Sequence, residues 1–262
     1  MTFEELGLKQ EVLDAVASLG FTEPSPIQQE AIPQLLTENK DLVGLAQTGT
    51  GKTAAFGLPM VNQIDFDSKK TQGLVICPTR ELCIQISKDF VSYSKNFRNA
   101  NIVPVYGGAS IDTQTRQLNR GAQIVVATPG RLVDMIKRKR VDLSQVQFVA
   151  LDEADEMLNM GFKEDIDGIL SNTPDTKKTW LFSATMPREV VRIAKQYMTD
   201  PIEITVGTKN ATAKNIEHQY FRVNDRDRFD GLKRIIDFEP DMYGVIFCRT
   251  RRETAEVAEK LM

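Results

Sequence analysis

The sequence predicts an α/β protein with a mainly parallel sheet flanked by helices, and three observations support this fold class. Short apolar, β-branched runs alternate with longer helical stretches along the chain. Several runs end in small or polar residues followed at once by a helix signal, as at Thr128-Pro129, where a capping residue precedes a proline. At 262 residues the chain is also long enough to bury a sizeable core.

Seven apolar runs before residue 207 are each predicted to be a strand. They span residues 42–46, 73–77, 101–105, 123–127, 147–151, 179–183 and 202–206. Ligands of open parallel sheets bind at the carboxyl ends of the strands, where the connecting loops gather. We therefore expect the functional residues in the loops that follow these runs.

The chain is predicted to contain two unequal parts, a first domain over residues 1–206 and the start of a second over 216–262. The polar stretch 207–215 has no periodicity and is interpreted as a linker. In the second part we expect strands at 216–223 and 244–248 and helices at 226–238 and 253–262. This part is too short to bury an α/β core unaided, which suggests a truncated form of a larger protein.

A half-built sheet exposes apolar faces and open edges, so order in the second part would require a partner surface. We expect residues 216–262 to pack on the first domain or on another copy of the chain. Burial of Val245, Ile246 and Phe247 is the contact expected to hold them there.

Composition excludes several classes of protein. The single histidine, His218, cannot supply a two-histidine zinc motif. Three cysteines with no C-x-x-C pair favour a reducing compartment, and no apolar run approaches the length of a membrane helix, so a cytoplasmic protein is expected. The net charge of -3 gives no broad attraction for nucleic acid. The one strong charge run, residues 137–140, is interpreted as a solvated helix end.

Residues 46–53 have the pattern of a phosphate-binding loop. Their sequence, Ala-Gln-Thr-Gly-Thr-Gly-Lys-Thr, lies between a predicted strand and a predicted helix. Glycines let backbone N–H groups turn toward phosphate oxygens, and the helix N-terminus adds partial positive charge. Lys52 is expected to contact the β- and γ-phosphates and the Thr53 hydroxyl to ligate Mg²⁺. The predicted nucleotide-binding residues are Gln47, Thr48, Gly49, Thr50, Gly51, Lys52 and Thr53.

Two adjacent acids, Asp152 and Glu153, end the apolar strand predicted at 147–151. In nucleotide hydrolases such an aspartate ligates Mg²⁺, and the next acid orients or deprotonates the attacking water. Adjacent carboxylates at a helix start are also ordinary capping residues. The phosphate loop favours the catalytic interpretation, with Lys52, Asp152 and Glu153 as the catalytic group.

Taken together, the motifs resemble those of the DEAD-box ATP-dependent RNA helicase family. Residues 152–155 spell the family's name, and 46–53 have its form of the phosphate loop. Gly20-Phe21 with residues 24–28 looks like its adenine-reading Q motif, which implies that Phe21 and Gln28 bind the base. Ser183-Ala184-Thr185 resembles the motif that couples ATP hydrolysis to strand separation. The resemblance covers essentially the whole chain and implies a RecA-like P-loop NTPase domain followed by the start of a second.

The resemblance also implies RNA as the partner and ATP with Mg²⁺ as cofactors. RNA would be bound through its backbone, independently of sequence and without a preference for DNA, for duplex unwinding or ribonucleoprotein remodelling. Arg80 and Arg131 stand at helix starts, an unfavourable end for a cation unless a phosphate binds there. The RNA-binding residues implied by the matching motifs are Thr79, Arg80, Gly107, Gly108, Thr128, Gly130 and Arg131.

Several alternatives stay open at the level of sequence. Gln28 also completes a capping box with Ser25, so it could be purely structural, and Phe3 could pack behind Phe21 or be plain core. Another P-loop translocase or DNA helicase is a second candidate, and a nucleotide-binding docking module without hydrolysis is a third. The family's histidine- and arginine-rich motif is missing here. This chain is therefore expected to bind ATP, to bind RNA weakly and not to unwind duplexes.

Overall fold

The computed structural model of the chain describes residues 1–38, 40–207, 217 and 219–262. Two compact units are present, Met1–Ala211 and Thr212–Met262. Apart from Gly207, the predicted linker at 207–215 lies outside the described residues. The domain limits 1–206 and 216–262 remain predictions.

A seven-stranded sheet forms the centre of the first unit. Its strands are β1 (Leu42–Leu45), β2 (Gly73–Ile76), β3 (Ile102–Val105), β4 (Ile124–Ala127), β5 (Phe148–Leu151), β6 (Lys178–Ser183) and β7 (Ile202–Thr205). Their order across the sheet is β3-β4-β2-β5-β6-β1-β7, and every neighbouring pair is parallel. All seven strands expected from the sequence are confirmed, each end to within one residue, and the sheet is wholly parallel.

Successive side chains of these strands enter two separate cores, one on each face of the sheet. In β1, Leu42 belongs to one core and Val43 to the other. Trp180 and Phe182 of β6 are among the largest fully buried side chains. A strand buried on both faces is apolar at consecutive positions, which explains why continuous runs marked the strands in the sequence. Pro104 lies in β3, an edge strand, where a proline is tolerated.

Helices cover both faces of the sheet. One face carries α1 (Gln10–Ser18), α2 (Pro26–Thr37), α3 (Lys52–Gln63) and α4 (Arg80–Tyr93). The other carries α5 (Ile111–Asn119), α6 (Pro129–Lys137), α7 (Ala154–Asn159), α8 (Lys163–Leu170) and α9 (Arg188–Tyr197). Helices α3, α4, α6 and α7 follow β1, β2, β4 and β5, so their first turns lie along the carboxyl edge of the sheet. Among the described residues, no helix is long and apolar enough to cross a membrane.

The second unit differs from its sequence-based prediction. Both expected helices form, as α10 (Arg228–Phe238) and α11 (Arg251–Leu261). No strand forms at 244–248 or at the described residues of 216–223, so these two strand predictions are wrong there. The side chains of Val245, Ile246 and Phe247 are 76%, 40% and 92% exposed in the single chain, so their burial against another copy of the chain stays a prediction. A strand needs a neighbour to pair its backbone groups, and the described residues of this unit provide none.

Candidate functional site

The phosphate loop joins β1 to α3, as the strand–loop–helix pattern predicted. Gly49 and Gly51 have φ values of 77° and 89°, a region that favours glycine. A Cβ on Gly51 would lie 2.4 Å from the Gln28 side-chain nitrogen, so this position needs glycine for close approach as well. Lys52 begins α3 and is only 5% exposed. The end of the loop at Gly51 is thus packed against the start of α2, whereas residues 47–49 are exposed.

A cavity of about 400 Å³ opens beside this loop and gathers nine of the predicted nucleotide and catalytic residues. They are Phe21, Gln28, Thr48, Gly49, Gly51, Lys52, Thr53, Asp152 and Glu153. Gln47 and Thr50 do not line the cavity. The Thr50 hydroxyl donates a hydrogen bond of 2.7 Å to the Gln47 carbonyl within the loop. Residues from three separate stretches of sequence therefore meet at one site.

Lys52 and Glu153, which both line this cavity, form an ion pair. The Lys52 ammonium lies 3.1 Å from Glu153 Oε1, and the two side chains are 5% and 19% exposed. Glu153 has φ 51° and ψ 51°, the left-handed region, in which a non-glycine residue is strained by about 1 to 3 kcal/mol. Such strain at a charged, half-buried residue is typical of a functional site.

Asp152 is nearly inaccessible and carries the most perturbed carboxyl of the site. Its side chain is 3% exposed, and Oδ1 accepts a 3.0 Å hydrogen bond from the Glu153 backbone N–H. Burial, followed by the nearby charge of Glu153, raises the pKa of Asp152 to about 7, although the charge of Lys52 opposes the change. A divalent cation beside Asp152 would stabilise the ionised carboxylate, which burial and Glu153 disfavour.

The donor set fits Mg²⁺ rather than a metal held by protein alone. Among the described residues, no group of three or more His, Cys, Asp or Glu side chains is arranged to hold a metal ion by itself. Mg²⁺ commonly uses one or two protein ligands and takes the rest from substrate phosphates and water. Asp152 and Thr53, which both line the cavity, could supply these protein ligands.

Gln28 has a structural role that the sequence left open. Its Oε1 accepts from the Ser25 N–H at 3.0 Å, completing the capping box of α2, and its Nε2 donates to the Gly51 carbonyl at 3.1 Å. The side chain thus links α2 to the phosphate loop. Phe3 is buried and stacks on Phe21 at 6.2 Å between ring centroids, while Phe21 stays 38% exposed. Phe3 thus belongs to the hydrophobic core and also packs behind Phe21, so both alternatives for it hold.

Asp155 connects the acidic motif to the Ser-Ala-Thr motif, a role that sequence reasoning missed. The Thr185 backbone N–H and hydroxyl both donate to Asp155 Oδ2, at 2.9 and 2.5 Å. The fully buried Ser183 hydroxyl accepts from the Asp155 N–H at 3.3 Å. Burial alone would raise the pKa of Asp155, but the hydrogen bonds from Thr185 and Ser183 hold it below its usual value. An acid three residues after Asp152 was the only signal in the sequence.

The predicted RNA-binding residues lie in three loops that follow β2, β3 and β4, which are adjacent in the sheet. Thr79 caps α4, and its hydroxyl accepts from the Leu82 N–H at 3.2 Å. Arg80 approaches Gly108, where a Cβ would lie 3.3 Å from its guanidinium. Arg80, Gly107, Gly108 and Gly130 are exposed, while Thr128 and Arg131 are half-buried. The three loops thus form one continuous surface along the carboxyl edge.

Three residues that the sequence did not single out, Tyr106, Ala109 and Gln114, contact the arginines of this surface. The Arg80 guanidinium lies 5.1 Å from the Tyr106 ring centroid, a cation–π contact. Arg131 donates to the Ala109 carbonyl at 3.1 Å and to Gln114 Oε1 at 3.0 Å. These partners come from distant parts of the sequence, so no local pattern could have indicated them.

Comparisons with known proteins agree in fold and sequence. The family model of DEAD/DEAH box helicases matches residues 25–193. The DEAD-box ATP-dependent RNA helicase CshA of Bacillus cereus is 48% identical over 260 residues, 99% of this chain and 49% of that protein. The ATP-dependent RNA helicase DeaD of Mycobacterium tuberculosis is 46% identical over 260 residues, 99% of this chain and 46% of that protein.

Among solved structures, a DEAD box protein from the hyperthermophile Methanococcus jannaschii matches with a TM-score of 0.76 and 41% identity. The match covers 100% of this chain and 70% of that one. The chain spans about half the length of the curated relatives it matches.

Proposed function

Because the chain belongs to the DEAD/DEAH box helicase family, we propose that it binds and hydrolyses ATP as part of an ATP-dependent RNA helicase. The hydrolysis would drive local unwinding of RNA duplexes or remodelling of ribonucleoproteins. The observation that carries the proposal is the meeting of Lys52, Asp152 and Glu153 beside the phosphate loop in one cavity. An isolated glycine-rich turn would have no buried acids opposite its lysine.

In this proposal each residue of the cavity has a separate task. Lys52 binds the β- and γ-phosphates, and Glu153 accepts a proton from the attacking water. Thr53 and Asp152 would hold Mg²⁺, which when bound neutralises phosphate charge. The exposed face of Phe21 is free to stack on adenine. Gln28 retains one side-chain N–H and one lone pair for the edge of the base, beyond its two bonds within the protein.

The surface made by the loops after β2, β3 and β4 is proposed to bind RNA. Helix N-termini at Thr79 and Thr128, with Arg80 and Arg131, suit phosphate oxygens rather than base edges. Binding would therefore be independent of sequence, with no preference for DNA. The Ser183 and Thr185 bonds to Asp155 join the nucleotide site to the end of β6 and would couple hydrolysis to RNA binding.

A cytoplasmic location belongs to the same proposal, since the free thiols suit a reducing compartment.

A chain of these 262 residues should bind ATP but be deficient in unwinding. Among the described residues, no arginine lines the cavity that contains Lys52. An arginine that stabilises the transferring phosphoryl group accelerates hydrolysis by about 10³ to 10⁵, so its lack should slow turnover. Calorimetry with Mg-ATP, RNA-stimulated ATP hydrolysis and a strand-displacement assay test this, with CshA of Bacillus subtilis as positive control. Binding without strand displacement is expected. Absence of ATP binding would refute the proposed function, and efficient displacement would refute the deficiency.

Self-association is a separate part of the proposal. Val245 and Phe247 leave large apolar surfaces in solvent, which commonly mark contact sites. Sedimentation velocity should show a concentration-dependent dimer that the Val245→Ser/Phe247→Ser variant does not form. A wild-type chain that stays monomeric at high concentration would contradict this.

A further inference from the structure

A second cavity, of about 660 Å³, lies at the opposite edge of the sheet from the nucleotide site. Its walls come from residues 69–71, 122 and 141–144, which lead into the amino ends of β2, β4 and β5. The end of α6 closes it on one side. The volume is within the range of about 300 to 1,000 Å³ found for ligand sites. The proposed helicase function does not use this cavity, which we term the basic pocket.

The charge of the basic pocket is strongly one-sided. Lys69, Lys70, Lys139 and Arg140 line it, against a single acid, Asp142. Lys70 pairs with Asp142 at 3.5 Å, whereas the other three cations have no carboxylate within ion-pair distance in the part of the chain that the structure describes. The whole protein carries a net charge of -3, so this excess is local. Such a pocket attracts an anionic ligand.

Lys139 occupies a strained backbone position at the end of α6. Helix α6 ends with Arg140 N–H donating to the Met135 carbonyl and Lys139 N–H to the Ile136 carbonyl, each at 2.9 Å. Lys139 occupies the left-handed position of this motif with φ 55°, where glycine is the usual residue. A lysine at this position is strained relative to glycine. Glycine would terminate the helix equally well at this position, so the lysine adds a charge to the pocket that helix termination does not require.

The floor of the basic pocket is apolar and not aromatic. Ala122 and Leu143 are buried, and Leu118, Ile136 and Val141 are half-buried. None of the lining residues is Phe, Tyr or Trp. Proteins that bind single-stranded nucleic acid often stack its bases on aromatic rings, and this floor offers no such platform for a base. It suits an aliphatic or aromatic side chain inserted from a partner.

We propose that the basic pocket docks an acidic peptide segment of a partner protein. An apolar side chain of the segment sits on Leu118, Ile136 and Val141, and the flanking carboxylates pair with Lys139 and Arg140. The planar Arg140 guanidinium can hold one carboxylate through two parallel hydrogen bonds. Because the pocket and the nucleotide site lie at opposite edges of the sheet, the partner stays bound while ATP binds and leaves.

Fluorescence polarisation can test this with a short labelled peptide in which Asp and Glu flank a central Leu-Phe pair. The Lys139→Gly/Arg140→Gln variant removes two charges from the pocket, and glycine suits the left-handed backbone, so folding is preserved. The control is Lys137→Gln/Arg138→Gln, which removes two charges from the same run outside the pocket lining. Loss of two charge contacts should weaken binding about tenfold in the first variant only.

Two peptide controls and one competitor complete the test. A peptide with Asn and Gln in place of its acids should bind more weakly. A peptide with Ser in place of the Leu-Phe pair should also bind more weakly. Equal loss in both double variants, or no binding by the wild-type chain, would overturn the proposal. Preferential binding of oligouridylate with the same dependence on Lys139 and Arg140 would overturn it in favour of a nucleic-acid site.

Discussion

Replacing Asp152 by asparagine should stabilise the chain in the absence of nucleotide and metal. Burial raises the pKa of Asp152 to about 7, whereas an unfolded aspartate titrates near 3.9. The ionised carboxylate is thus disfavoured in the fold by about 3 pKa units, or about 4 kcal/mol at ~1.4 kcal/mol per unit. Asparagine is almost isosteric and keeps an oxygen for the Glu153 N–H. The figure is an upper limit, because local rearrangement relieves part of the cost.

The stabilisation by Asp152→Asn should increase as the pH rises. A raised pKa means that the folded chain holds the Asp152 proton more tightly than the unfolded chain does. The destabilisation by Asp152 is therefore absent below about pH 4, grows as the pH rises and is complete above about pH 7. The difference in free energy of unfolding between Asp152→Asn and wild type should widen over this interval.

Urea unfolding in EDTA, followed at a series of pH values, measures this difference directly. Asp175→Asn is the matched control, since the same chemical change at an exposed side chain should alter stability little. Saturating Mg-ATP should reduce the advantage of the Asp152 variant by stabilising the wild type. An Asp152→Asn chain that is no more stable than wild type at pH 8, or a gap that is constant with pH, would refute the reasoning.

Three further predictions concern the nucleotide site. Gln28→Ala should reduce the preference for ATP over GTP by about 1 to 3 kcal/mol in calorimetric titrations, and an unchanged ratio would remove Gln28 as an adenine reader. Lys52→Ala should abolish Mg-ATP binding, whereas Glu153→Gln should keep it and block hydrolysis in a chain competent for turnover; normal turnover would rule out Glu153 as the base. Thr185→Val removes one of the two bonds to Asp155 and should lower RNA stimulation of ATP hydrolysis while ATP affinity is retained, as measured by steady-state kinetics and calorimetry.

The sheet could be predicted closely because its local pattern and its tertiary environment agree. Strands such as β2 and β4 are buried on both faces, so every residue in them is apolar or small. The run at 244–248 has the same composition but forms no strand. Its composition would favour a strand only if neighbouring strands were present to pair with it. Local sequence therefore identified candidate strands without showing whether each has a neighbour.

The sequence indicated which residues form the site, but not which of these residues contact one another. Motif spacing indicated Lys52, Asp152 and Glu153, yet the Lys52–Glu153 ion pair joins residues a hundred positions apart. The hydrogen bonds from Thr185 to Asp155 likewise join residues that are 30 positions apart in the sequence. Lys139 is exposed at the end of α6, as the sequence indicated, but it also lines a cavity because strands distant in sequence place their amino ends beside it. Contacts of this kind depend on the order of strands in the sheet, which no local pattern contains.

The Lys52–Glu153 ion pair sets a condition on how a nucleotide enters. A phosphate that reaches the ammonium must replace the carboxylate as its counter-ion, so binding exchanges one anion for another. The carboxylate released in this exchange is the group proposed to accept the proton of the attacking water. In the proposed mechanism, Glu153 would therefore stay paired with Lys52, and would not act as the base, until a phosphate had bound to the lysine.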